Sequence, residues 1–278
     1  MTIRDFSLVH RGRTFDLTMD FDMDQHAEWW VVEHFNHGNC YEPDESHVMF
    51  RAIRPGDTVI DVGANAGFFT VLMSKLVGPE GKVYSFEPGV NTLPSLRRNI
   101  ELNKLTNVTL DTQPLWCREE EVTFHLSADT SGGNALWDPG LWIENQKTRA
   151  KPHTYTMMAK TLDSLNLTDV RLIKIDTEGA DQKILEGAAV LLETVKPPFI
   201  LVELNPFGSQ QMGTNDEEFR EYMRDFGYEA FIIYHEGYLP ALVPRQTKLK
   251  HSNDLTIMNL MFSTLDAVAE AWPSAPYE

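Results

Sequence analysis

Four carboxylates stand at or just beyond the ends of short apolar runs. Asp61 lies in Thr58–Val62, Glu87 follows Lys82–Phe86, and Asp176 and Glu178 follow Leu172–Ile175. In an open α/β sheet, ligands bind in the crevice at the C-terminal ends of the strands, where such side chains collect. There a carboxylate can accept hydrogen bonds from ribose hydroxyls, pair with a cation, or take a proton from a reacting hydroxyl.

The spacing narrows the choice. Gly63, Asn65 and Gly67 form a tight turn after the first run, and Phe68, Val71, Leu72 and Leu76 then mark one helical face. A glycine turn at a helix N-terminus brings backbone N–H groups close to a ligand. Glu87 lies about 20 residues beyond the turn, the position of a ribose ligand in nucleotide-binding βαβ units. A dinucleotide site requires G-x-G-x-x-G, whereas this chain has Asp61-x-Gly63-x-Asn65-x-Gly67. Asp61 would repel a pyrophosphate and suits a nucleoside that carries an ammonium and a sulfonium. The pattern therefore points to S-adenosylmethionine, and it disfavours a nicotinamide-dependent oxidoreductase.

Elements that position these residues follow from periodicity. Strand and helix patterns alternate from Gly56 onward, which predicts a mainly parallel sheet covered on both faces. Leu93, Leu96 and Ile100 mark a helix with Asn91 as its expected N-cap, residues 108–110 begin a third strand, and residues 122–126 an additional one. Further strands are expected at 172–175, 199–202, 230–234 and 256–262. Glu203 and Asn205, after the strand at 199–202, belong to the same end of the sheet, and Lys174 is expected to pair with one of the carboxylates. Residues 1–50 read as an irregular N-terminal cap, with Trp29 and Trp30 in its core, ahead of one domain over 51–278. Residues 127–154 form an insertion with turn signals and two tryptophans, Trp137 and Trp142; long loops of this kind are often lids or binding loops.

Composition excludes several classes. A net charge of −17 opposes binding to nucleic-acid phosphates, which requires clustered Lys and Arg, and opposes anionic membrane surfaces. Arg4, Asp5, Arg11 and Arg13 interrupt the opening, and no apolar run reaches membrane-spanning length, so a cytoplasmic location is expected. Cys40 and Cys117 lack metal or disulfide spacing. His34, His37, His153, His235 and His251 fall in predicted cap or loop segments and show no zinc spacing.

The ordered set Asp61-Val-Gly-Ala-Asn-Ala-Gly67, Phe86-Glu87-Pro88, Ile173-Lys-Ile-Asp-Thr-Glu-Gly-Ala-Asp181 and Leu185-Glu-Gly-Ala188 resembles the FkbM-type S-adenosylmethionine-dependent methyltransferases over roughly residues 38–262. Tyr41-Glu42 resembles that family's segment before the first strand. The resemblance implies a class I methyltransferase sheet, α/β and Rossmann-like, with strand order 3-2-1-4-5-7-6 and an antiparallel last strand. It implies cofactor contacts from Tyr41, Glu42, Asp61, Gly63, Ala64, Asn65, Gly67, Phe86, Glu87, Pro88 and Asp176, with Gln113 near the adenine. It also implies O-methylation of a hydroxyl on a small molecule, sugar or polyketide. Asp176 or Glu178 would act as the catalytic base. Alternatively Asp176 would hold a divalent cation through oxygen, although the sequence shows no fuller set of ligands. Without a functioning Asp176 or Glu178, the same fold would serve as a non-catalytic binding module.

Overall fold

Apolar side chains alternate along Arg13–Phe21 as Phe15, Leu17, Met19 and Phe21, and this period of two makes a half-buried strand. In the computed structural model, which describes residues 2–10, 12–37, 40–234, 237–249 and 257–273, strands β1 (Thr2–His10) and β2 (Arg13–Phe21) pair antiparallel from Thr2–Phe21 to His10–Arg13. Residues 1–50 are therefore regular where an irregular cap was expected. Helices α1 (His26–Asn36) and α2 (Pro43–Ala52) complete this segment.

The chain then builds β3 (Thr58–Val62), α3 (Phe68–Val77), β4 (Lys82–Phe86), α4 (Leu93–Leu102) and β5 (Val108–Asp111). β6 (Glu121–Leu126) leads into the insertion, which contains the short helix α5 (Gln146–Ala150) and ends in β7 (His153–Met158). β8 (Leu172–Ile175), α6 (Asp181–Glu186), α7 (Ala189–Thr194), β9 (Phe199–Leu204), α8 (Pro206–Gln211) and α9 (Asp216–Asp225) follow. β10 (Glu229–Tyr234), β11 (Leu239–Leu242), β12 (Met258–Ser263) and α10 (Leu265–Ala271) complete the described chain. Thr256, expected in the last strand, lies outside the described residues, as do His235 and His251.

The main sheet has the order β11-β10-β12-β9-β8-β3-β4-β5. β5, β4, β3, β8 and β9 are parallel, and β12 runs antiparallel between β9 and β10. This is the expected 3-2-1-4-5-7-6 order with one further edge strand. β6 does not join that sheet; it pairs antiparallel with β7 in a separate ribbon. The insertion thus hangs from the two arms of a hairpin, with β7 occupying part of what read as loop.

Alternation in the central strands separates two cores. Val59, Leu172, Phe199 and Leu201 face a cluster that includes β2, α2, α3 and Trp272. Ile60, Val62, Ile173, Ile175, Ile200 and Val202 face the opposite cluster, under α6, α7 and α9. The hairpin at residues 2–21 shares the first of these cores. Two asparagines of α4 secure it: Asn99 accepts from the Asp20 N–H at 2.7 Å and donates to the Ala66 carbonyl at 2.8 Å, and Asn103 accepts from the Thr18 N–H at 3.0 Å. The helix begins after Thr92 rather than Asn91, whose side chain instead accepts from Asn134 Nδ2 at 2.9 Å.

Candidate active site

Register brings the charged residues together. Asp61 pairs with Lys174 across β3 and β8, and since the two share a face by alternation, both side chains point toward α2. Lys174 is 1% exposed, so its ammonium needs local compensation. Asp176 supplies this at 3.0 Å and Glu45 of α2 at 3.8 Å, and the Phe69 ring lies 4.7 Å away. Burial alone would lower the lysine, but Asp176, Glu45 and Asp61 hold it well above its ordinary range. The expected pairing of Lys174 with a carboxylate is present, as the centre of a network.

A cavity of about 340 Å³ opens over the C-terminal ends of β3, β4 and β8. Tyr41, Asp61, Gly63, Ala64, Asn65, Phe86, Glu87, Pro88, Asp176 and Glu178 all line it. Gly63 has φ +81°, and a Cβ there would lie 1.8 Å from the Asp176 carbonyl oxygen. Only glycine allows the turn and the Asp176 loop to approach this closely. Glu87 accepts from the Asn65 N–H and from the Gly89 N–H, each at 2.7 Å. Two backbone donors fix the carboxyl and leave it further lone pairs. Burial pushes Glu87 up to about 7 against these hydrogen bonds.

Three expected cofactor residues lie off the lining. Gln113 donates to the Met158 carbonyl at 3.0 Å, and its neighbours Pro114 and Leu115 face the cavity instead. Glu42, before α2, is approached by Asn259 Nδ2 at 3.4 Å. Gly67 serves packing: a Cβ there would meet Leu96 Cδ1 at 2.5 Å, so the glycine lets α3 and α4 approach. Conversely, Trp30, expected in the cap core, is 46% exposed and lines the cavity, as do Glu28 and Glu203. Glu203 was legible from the end of the strand read over 199–202, although β9 runs on through it to Leu204; the place of Trp30 depends on how α1 docks and carries no local signal.

At the far side of the Asp176 loop, Glu178 has φ +57°. Its Oε2 accepts from Asn205 Nδ2 at 2.5 Å, and its carbonyl accepts from Trp137 Nε1 at 2.7 Å. Burial first, and then the charge of Asp176, push Glu178 up to about 8. The same causes hold Glu203 well above the ordinary carboxylate range. The insertion expected at 127–154 walls the cavity with Ser131, Gly132, Asn134, Ala135 and Leu136. Among the described residues, no group of three or more His, Cys, Asp or Glu side chains has metal-holding geometry. No described helix is long and apolar enough to cross a membrane, and Cys40 and Cys117 are free thiols.

The residues fit S-adenosylmethionine. Asp61 Oδ1 is buried with no hydrogen-bond partner, although Oδ2 accepts from Thr70 at 2.5 Å. An orphaned carboxylate oxygen in the cavity wall suits an ammonium group. Glu87→Ala is expected to weaken binding roughly tenfold or more, since a hydrogen bond to a charged group is worth about 1.5–3 kcal/mol. Because ionised Glu87 is the better acceptor and burial raises it to about 7, wild-type affinity should rise from pH 6 to pH 8. Calorimetry across that range checks both; unchanged affinity in folded Glu87→Ala removes the ribose assignment.

The FkbM methyltransferase domain profile matches residues 61–230. Methyltransferase 1 of Beauveria bassiana is 25% identical over 148 residues, covering 48% of this chain and 59% of that protein. The tRNA (adenine(58)-N(1))-methyltransferase catalytic subunit of Yarrowia lipolytica is 41% identical over 69 residues, 24% of this chain and 18% of that protein. The chain thus matches less than two thirds of either relative's length. The crystal structure of the FkbM methyltransferase of Methylobacillus flagellatus aligns with 79% of this chain and 50% of its own, at 13% identity and a TM-score of 0.44. The profile match takes in the glycine turn, Glu87 and the Asp176 loop, and the chain belongs to the FkbM family of S-adenosylmethionine-dependent methyltransferases.

Proposed function

We propose that this protein methylates a hydroxyl oxygen of a small molecule, sugar or polyketide. The observation that carries the reading is that Glu87 and the Gly63 turn share one cavity with Asp176, Glu178 and Glu203. S-adenosylmethionine, held by Asp61, the Gly63 turn and Glu87, would supply a methyl group on a sulfonium for transfer to the acceptor oxygen, with the thioether as leaving group. The protein's part is to orient the acceptor against that methyl, worth about 7–11 kcal/mol at best, and to remove the hydroxyl proton. Glu178 suits the second role. Glu178 lines the cavity, its carboxyl is fixed by Asn205, and at about 8 it lies near the operating pH, where a general base is most effective. Asp176 is instead tied to Lys174 at 3.0 Å.

The same features argue against nucleic acid as the acceptor, despite the tRNA named for one relative. The net charge is −17, and the described lining offers no arginine and only one lysine, Lys174, which is buried and paired with Asp176. Phosphates would be repelled. A cytoplasmic location accords with this reading.

The test is methyl transfer from labelled S-adenosylmethionine to a panel of sugars, polyketide alcohols, amines and tRNA. Turnover is expected with a neutral hydroxyl compound. Transfer confined to tRNA or amines, or tight cofactor binding with no turnover on any acceptor, would overturn it.

A further inference from the structure

We propose that Trp137 is a positioning residue, which fixes the backbone at Glu178 through its indole N–H and so aims that carboxyl into the cavity. The proposal rests on the base reading of Glu178, and it explains an otherwise strained residue. A non-glycine side chain at φ +57° persists when its surroundings over-determine it. Here two hydrogen bonds do so, one at each end of the residue: Trp137 Nε1 to the carbonyl at 2.7 Å, and Asn205 Nδ2 to Oε2 at 2.5 Å.

Both bonds are anchored on the same block. Asn205 Oδ1 accepts from the Gly208 N–H at 2.9 Å, which fixes the amide and leaves its Nδ2 for Glu178. Phe207, in the same turn, meets the Trp137 ring edge-on with centroids 5.4 Å apart, and meets Trp142 on another side at 5.1 Å. Trp137 is buried, while Ala135 and Leu136 just before it line the cavity. The insertion therefore reaches the cavity and the Glu178 backbone through adjacent residues. The other charged groups that bear on Glu178 are Asp176, Asp181 and Glu203. None of them is on the insertion, so a change at Trp137 acts through geometry and not through charge.

The test needs no acceptor. In protein carrying ¹³C-carboxyl glutamate, the Glu178 resonance is the one missing from Glu178→Gln. Its titration midpoint in the wild type should lie near 8. Trp137→Phe keeps a ring against Phe207 but removes the donor; the carboxyl then swings toward water, and the midpoint should fall by at least about one unit toward the ordinary glutamate value. On an acceptor found by the panel, kcat should fall about 10²-fold, the cost of a misplacement on the order of 1 Å, with acceptor KM and cofactor Kd little changed. Folded Trp137→Phe with the wild-type midpoint and kcat overturns the proposal. If Trp137→Phe does not fold, Phe207→Leu carries the test: a lowered midpoint supports the proposal and an unchanged one overturns it. Full kcat in Glu178→Gln would sink the base reading alone, because the titration reports the hold on Glu178 whether or not it is the base.

Discussion

Replacing Glu178 with Gln should lower kcat by about 10²–10⁴-fold, the worth of a positioned general base, with cofactor affinity little changed. Gln keeps the shape and still accepts a hydrogen bond from Asn205 Nδ2, which donates to Oε2 at 2.5 Å in the wild type, so the loop should hold. What it loses is the ability to take a proton. Asp176→Asn provides the contrast. Asp176 is the nearest compensation for Lys174, at 3.0 Å, and its loss leaves a buried ammonium with Glu45 and Asp61; removing one partner of such a pair typically costs about 3–5 kcal/mol. That variant should lose thermal stability together with activity, whereas Glu178→Gln should lose activity alone. Steady-state kinetics, cofactor calorimetry and a melting curve on each separate the two roles. A Glu178→Gln enzyme with wild-type kcat would leave orientation of the acceptor as the whole source of rate.

Gly63→Ala should destabilise the protein by more than about 4 kcal/mol, in the range reserved for a named structural conflict. The new Cβ would lie 1.8 Å from the Asp176 carbonyl oxygen, and the φ of +81° disfavours any side chain. Neither strand can give way, since the Gly63 N–H donates to the Phe86 carbonyl at 2.9 Å and the Asp176 N–H donates to the Val62 carbonyl at 3.0 Å. If the variant folds at all, the turn and the Asp176 loop must move apart, and S-adenosylmethionine binding should be lost with the gap. Gly12→Ala is the control, because its φ is also positive, +75°, with nothing within 4 Å of the added carbon. Chemical denaturation of both variants checks the difference; equal stability would mean that close approach is not what Gly63 provides.

Local patterns carried the sheet and half of the site. The Asp61 turn and Glu87 were legible because a glycine turn and a strand-end carboxylate are each specified within a few residues. β8 was legible because Leu172–Ile175 is buried throughout, as a central parallel strand must be. The hairpin at residues 2–21 was also available in the sequence, since Phe15, Leu17, Met19 and Phe21 alternate strictly; the polar residues between them gave the segment its irregular look. The orientation of Gln113 away from the cavity had no such signal. It depends on β7, whose Met158 carbonyl takes the amide, and β7 lies at the far end of the insertion. The same holds for Trp137 and Glu178, a contact between separate elements that no periodicity encodes.

β3 sits between β4, its neighbour in the chain, and β8, which arrives only after the insertion has been made. As the protein is synthesised, the glycine turn and Glu87 emerge early, next to a parallel strand whose second edge stays open until Leu172–Ile175 appears. Such pairings form slowly and leave apolar edges exposed in the meantime. The cofactor cannot help at that stage, because the wall that Lys174, Asp176, Thr177 and Glu178 give the cavity is still missing. It stabilises only the finished fold, by mass action. A chain stopped before Leu172 should therefore carry every residue of the Asp61 turn, bind no S-adenosylmethionine, and depend on chaperones to stay in solution.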